Sequence, residues 1–154
     1  MDGYGTRRST TQFRAPGPRR IPSRELTHIT LVEGRPASDA LLLREGAVTF
    51  VVPGWYEVML VVEWDPENRQ GARFAHSRIG DSPPLHSEAI PAGVLADISG
   101  GRQLLRGNGL FGPGGPDAVR LEVWQDSGDP VVVRAASLTV RELCVPWPPS
   151  MEAA

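Results

Sequence analysis

The chain has 154 residues, 16 basic against 18 acidic for a formal net charge of -2, with 40% hydrophobic and 22% charged side chains. That length fits one domain of the usual ~100–150 residues, large enough to bury a core without a metal or a disulfide. The charge balance excludes binding to nucleic acid through an overall basic field, the lone Cys144 excludes an intrachain disulfide, and no apolar run approaches the ~20 residues of a membrane span.

Residues 1–25, MDGYGTRRSTTQFRAPGPRRIPSRE, carry Arg7, Arg8, Arg14, Arg19, Arg20 and Arg24 against only Asp2 and Glu25, with Pro16, Pro18 and Pro22 between them. No hydrophobic period runs through the stretch, so it is predicted to be an extended basic arm, disordered or polyproline-like when alone. Arginine keeps its charge and pairs bidentately with carboxylates and phosphates, which suits a strap laid over an acidic protein surface. Tyr4 and Phe13 are too few aromatics for base stacking, so nucleic acid is not the expected partner. The alternative is a solvated tail. The arm has no apolar stretch of the kind a secretory signal needs, which makes bacterial cytoplasmic synthesis and assembly the default.

From residue 26 onward, short apolar runs alternate with breakers. Strands are predicted near 26–33, 40–45, 47–52, 55–64, 72–79, 86–90, 102–106, 117–125, 130–134 and 137–143. Between them stand Pro53-Gly54, Asp65-Pro66, Pro83-Pro84, Gly100-Gly101, the run from Gly112 to Pro116, and Gly128-Asp129-Pro130. Residues 89–98 have the makings of one helical turn, weakened by Pro91 and Gly93. Many short strands at ~8–12-residue spacing predict an all-β sandwich, jelly roll or barrel. Residues 144–154 are too proline-rich for a strand and form an irregular tail. The expected plan is therefore an arm over 1–25, a domain over 26–143 and a tail over 144–154.

Alternation sorts the strand faces. In 55–64, Tyr56, Val58, Leu60, Val62 and Trp64 share a purely apolar side, which must be core. The other side carries Trp55, Glu57, Met59, Val61 and Glu63. In 117–125, Val119, Leu121 and Val123 point one way and Arg120, Glu122 and Trp124 the other. Large apolar side chains set among charges mark either a protein interface or residues tucked under loops.

Catalytic motifs are missing from the sequence. Cys144 sits among Val145, Pro146 and Trp147, with no neighbouring histidine to activate it. His28, His76 and His86 lack metal-ligand spacing, and the loops with Asp65/Glu67 and Asp126/Asp129 lack the full oxygen set of a calcium site. Glu57, Glu63 and Glu122 would serve glycoside hydrolysis only if two of them faced each other across a cleft. The glycine-rich run 107–116 lacks the Gly-Lys-Ser/Thr of a phosphate loop and is predicted to be a long loop, with Asn108 and Phe111 as candidate contacts for a ligand at its tip. No catalytic residue, metal or cofactor is expected.

Residues 46–64, GAVTFVVPGWYEVMLVVEW, resemble the central stretch of tumour-necrosis-factor-like jelly rolls, the fold shared with complement globular heads. There a phenylalanine precedes a Pro-Gly turn and an aromatic-rich strand ending near Trp. Residues 117–128 resemble the penultimate strand of that family and 137–143 its closing strand; Trp124 stands where Tyr is common, and 80–116 matches nothing in the pattern. The resemblance implies a two-sheet jelly roll of about ten strands that assembles as a homotrimer, packing one sheet around the threefold axis. By position it makes Trp55, Met59, Val61 and Trp124 the candidate interface. The expected function is a non-enzymatic component of a phage-like particle: a trimeric fibre, spike or decoration protein. Residues 1–25 would anchor it to capsid or tail proteins, and the far loops would meet cell-surface polysaccharide. A free complement-like protein- or carbohydrate-binding module is the alternative, and a polysaccharide-active enzyme the third reading.

Overall fold

Two-residue alternation gives the long strands, Gly54–Trp64 above all, one apolar side, and two sheets close over those sides. The computed structural model describes residues 10–33, 39–79, 84–98, 100–112 and 118–143. Its strands are β1 Thr10–Arg14, β2 Arg19–Ile21, β3 Thr27–Ile29, β4 Val32–Glu33, β5 Leu41–Arg44, β6 Ala47–Phe50, β7 Gly54–Trp64, β8 Ala72–Ile79, β9 Pro84–Pro91, β10 Arg102–Phe111, β11 Ala118–Gln125 and β12 Val131–Glu142, with helix α1 at Ala92–Ile98 between β9 and β10. One sheet, here sheet A, runs β10-β7-β12-β1-β4, with β2 also paired to β12; sheet B runs β5-β6-β11-β8-β9, with β3 also paired to β11. The described pairings are antiparallel, and most neighbours are distant in sequence. Strands that cross repeatedly between two sheets are the mark of a jelly roll. The fold is all-β, as expected.

The core lies between the sheets. From β7 it takes Tyr56, Val58, Leu60, Val62 and Trp64, each at most 1% exposed, and from β11 Val119, Leu121 and Val123 at 0%. Both apolar faces anticipated from alternation are thus the buried ones. At one end Phe50 stacks on Phe111 at 4.4 Å between centroids, and Tyr56 tilts against Phe50 at 4.8 Å. Such pairs contribute about 0.5–1.5 kcal/mol each beyond their burial. The Tyr56 hydroxyl donates to the Val52 carbonyl at 2.6 Å. Burial, then the charge of Glu142, pushes that phenol up to about 12.

The folded domain starts earlier than residue 26. β1 lies between β12 and β4 in sheet A, pairing Thr10 with Arg141 and Arg14 with Ser137, and β2 pairs with the start of β12. Thr11, Phe13 and Ile21 are at most 1% exposed. The arm boundary is therefore corrected: residues 10–25 belong to the jelly roll. Only two inward side chains anchor β1, and the arginines and prolines around them hid its alternation. Three smaller corrections follow. The anticipated helical turn is a two-turn helix, α1, starting just past Pro91. The first part of the glycine-rich run, 107–111, continues β10 rather than opening a loop. The last two predicted strands are one, β12, with a bulge between Val133 and Ala135. The tail 144–154 lies outside the described residues.

Gly101 closes the turn into β10. Its φ is +87°, a region that L side chains rarely adopt, and an added Cβ would meet the Trp64 carbonyl. Its carbonyl accepts from Trp64 N at 2.7 Å and its N–H donates to the Leu95 carbonyl at 2.9 Å. Gly101→Ala should therefore destabilise the domain by about 2–4 kcal/mol, through strain and clash together. Urea denaturation would read this as a lower midpoint with an unchanged slope.

Candidate functional site

Antiparallel register assembles the outward face of sheet A from rows of residues. Glu57 lies between Asn108 and Arg141, Met59 between Arg106 and Thr139, Val61 between Leu104 and Ser137, and Glu63 between Arg102 and Ala135. β1 adds Thr10, Gln12 and Arg14 beyond β12. Met59 and Val61 are half-buried, whereas Leu104 beside Val61 is 44% exposed. These three make an apolar band across the sheet.

Charges frame that band. Glu57 sits 3.1 Å from an Arg141 guanidinium nitrogen and 3.9 Å from Nε of Arg106. Arg106 also lays its guanidinium on the Met59 sulfur at 3.4 Å. Exposed ion pairs of this kind stabilise a monomer by about 0–1 kcal/mol, so their arrangement matters more for recognition than for folding. Below Val61 a shallow depression of 290 Å³ is lined by Gln12, Arg14, Glu63 and Ser137, among others. A band of partly exposed apolar side chains rimmed by paired charges is the composition of a protein–protein contact.

Three of the four residues expected at an interface share this face. Trp55 lies at the end of β7 opposite Leu110, half-buried, with Met59 and Val61 further along the same side. Trp124 does not join them. It projects from β11, in the other sheet, in register with Phe74 of β8. Strand parity alone could not reveal this, because it tells which residues share a side of one strand but not which sheet the strand joins. Leu104 was missed for a different reason: in the sequence it is one of two adjacent leucines, and only the register shows that it faces outward.

Phe111 is 3% exposed and stacked in the core, so its proposed ligand contact is corrected; the aromatic pocket of Phe50 and Tyr56 takes it in. Asn108 lies on β10 opposite Glu57. Arg14, Arg19, Arg20 and Arg24 are exposed, and Arg7 and Arg8 lie outside the described residues. Glu57 and Glu63 project from one strand, six residues and so about 20 Å apart, while Glu122 is on the other sheet. These three carboxylates do not form the facing pair that glycoside hydrolysis needs. Among the described residues no group of three or more His, Cys, Asp or Glu is placed to hold a metal ion, and no helix is long and apolar enough to cross a membrane.

A polar cluster at one end of the sandwich escaped sequence reading altogether. Arg73, 1% exposed, points inward from β8. Its guanidinium donates to the carbonyls of Asp65, at 2.9 Å, and Asn68, and lies 5.3 Å from the centre of the Trp64 ring. Trp64 Nε1 donates to Gln103 Oε1 at 2.8 Å. Gln125, 0% exposed, donates to the carbonyls of Ile21 at 2.9 Å and Asp129 at 2.7 Å. The cluster ties the loops at this end to the core.

No protein-family model matches the chain, and no curated protein sequence matches it significantly. Solved structures do. The vertex protein P5 of PRD1 aligns with a TM-score of 0.64 at 13% identity, over 87% of this chain and 96% of that one. Murine APRIL aligns at 0.58 and 10% identity, over 89% and 100%, and the Eiger TNF of S. frugiperda at 0.53 and 14%, over 94% and 98%. At such identities the likeness establishes the fold. The chain has a tumour-necrosis-factor-like jelly-roll fold, with PRD1 vertex protein P5 among its structural neighbours.

Proposed function

We propose that this protein is a structural component of a phage-like particle, a fibre, spike or decoration head that assembles as a homotrimer through the outward face of sheet A. The observation that carries the reading is the fold shared with PRD1 vertex protein P5 along nearly the whole of both chains. The apolar band of Met59, Val61 and Leu104, rimmed by Glu57, Arg106 and Arg141, supports self-association, because closed symmetry covers a patch that a monomer leaves in water. In this reading the domain has no enzymatic role and its partners are copies of itself, neighbouring particle proteins and a cell-surface polysaccharide. Trimerisation multiplies weak contacts into useful avidity. The protein would assemble in the bacterial cytoplasm and end as part of a virion.

The anchor in this reading is narrower than the whole basic stretch. With β1 and β2 built into sheet A and the segment to residue 25 part of the domain, the residues left to reach a particle are 1–9, with Arg7 and Arg8. Deleting 1–9 should leave a folded trimer that no longer enters particles. Deleting 1–25 removes β1 and β2 with Phe13 and Ile21, each 0% exposed, and should destabilise the domain by at least ~5 kcal/mol. Mass photometry, particle co-sedimentation and thermal melts separate these outcomes. A stable monomer at micromolar concentration would end the trimer reading, and incorporation of the chain lacking 1–9 would end the anchor reading.

A further inference from the structure

Sheet B has a break in it. β11 pairs with β8 along one edge, but its other edge is shared by two strands. β6 takes Ala118 and Val119, and β3 takes Leu121 to Val123. Arg120 stands between the two pairings. Where β3 and β6 part, a notch of 310 Å³ opens on the outer side of the sheet. Ala47 and Ala118 leave its floor low, His28 forms one wall, and Arg44, Glu45, Thr49 and Arg120 complete it.

The far wall is held in place. Glu45 (φ 50°) and Gly46 (φ 75°) make a two-residue turn with both φ angles positive, the tight connection that suits a β-hairpin. Gly46 packs against Thr30, where a Cβ would come within 2.9 Å of the threonine methyl, and its carbonyl accepts from Leu31 N at 3.4 Å. Arg44 and Glu45 are thus fixed beside His28. The His28 Nε2 is buried and has no hydrogen-bond partner among the described residues, an uncommon condition for a buried polar atom.

We propose that this notch binds the carboxylate of an acidic sugar residue, with Arg44, Arg120 and His28 facing the carboxylate and Glu45 and Thr49 taking ring hydroxyls. This rests on the particle-protein reading and names the class of glycan it would meet. Three features favour a sugar. The volume suits one ring. Donors for an anion stand beside a carboxylate and a hydroxyl that suit sugar hydroxyls, and Leu42, 43% exposed and in register with Thr49, offers an apolar neighbour for a ring face. The notch also lies on the sheet that a trimer built through sheet A leaves in solvent.

His28 supplies the readout. Its imidazole is held below the ordinary 6.5 by burial and by Arg120 and Arg19, against Glu122 and a backbone hydrogen bond at Gly46, which raise it. Arg44 and Glu45 face it from the β5–β6 turn. A bound carboxylate favours the imidazolium, so binding should raise the His28 pKa and strengthen as pH falls from 7 toward 5.5.

The test is a ¹H–¹³C NMR titration of the full chain with glucuronate, its His28 signal assigned from a His28→Asn variant. Glucose is the neutral control, acetate the simple anion and an oligo-glutamate peptide the acidic protein mimic. Glucuronate should shift His28 and raise its pKa, and Arg44→Gln, at an exposed position, should weaken binding about tenfold or more. No shift at 50 mM glucuronate, an equal shift with glucose or acetate, a larger one with the peptide, or unchanged binding in Arg44→Gln would each overturn the proposal. The mass of the assembly is measured separately, so a failed trimer and a failed sugar site are distinguishable.

Discussion

Replacing Arg73 with alanine is expected to destabilise the domain by about 3–5 kcal/mol, among the largest effects of any single substitution in this chain. The residue is 1% exposed, yet it carries a charge. Burial pulls its guanidinium below the usual arginine range, opposed by the charge of Asp65. The loss on substitution comes from what the side chain leaves behind. The carbonyls of Asp65 and Asn68 would lose their donor, at about 1–3 kcal/mol for each one left dry, and the Trp64 ring would lose a packed cation. Relief of the buried charge offsets part of this. Arg73→Met, which keeps the volume, should therefore cost only about 2 kcal/mol. Arg73→Lys should fall between the two, since one ammonium on a flexible stem does not reproduce a planar fork on two carbonyls. Urea melts followed by tryptophan fluorescence give these numbers directly, because Trp64 reports on the site. If Arg73→Met melts with the parent protein, the network adds nothing to stability.

That cluster also shows where the sequence is silent. The faces of β7 and β11 were legible because five and three apolar residues alternate without a break. Parity fixed their sides, and turn residues fixed most strand ends. β1 was not legible, because Thr11 and Phe13 are its only inward side chains and Arg14, Pro16 and Pro18 follow at once. Arg73 was not legible either, since an arginine on a strand reads as solvent-facing until a loop supplies carbonyls to receive it. Phe111 was misplaced because glycines on both sides read as a loop, whereas Gly107 and Gly109 continue β10 opposite β7. For Phe111 and β1 the deciding contact joins residues far apart in the chain, Phe111 with Phe50 and β1 with the last strand of the domain, whereas Arg73 turns on how the loop just before it folds back to present its carbonyls. The interface candidates fared the same way. Trp55, Met59 and Val61 share a face because they share a strand, and Trp124 leaves them because its strand pairs into the other sheet.

Val61→Arg should convert the proposed trimer into a folded monomer, while Trp124→Ala leaves the assembly mass unchanged. Val61 sits between Leu104 and Ser137 in the middle of sheet A, half-buried, with Met59 two residues along. In a monomer an arginine there can extend into water, so the fold should lose no more than about 1 kcal/mol. In a threefold assembly the same change places three new charges near the axis, beside Arg14 and Arg106 of the same face. Like charges brought together without water cost several kcal/mol, and each 1.4 kcal/mol is about a tenfold loss of association. Met59→Glu tests the same face with the opposite sign and without adding to the arginines. If both variants sediment as monomers that still melt in one cooperative transition, the contact is this face and its basis is desolvation rather than one charge pair. Trp124→Ala removes a large aromatic from sheet B, so it should lower stability by about 1–2 kcal/mol through lost packing on Phe74 and leave the trimer intact. The opposite pattern, with Trp124→Ala dissociating and Val61→Arg neutral, would place the threefold contact on sheet B and cover the very notch that holds His28.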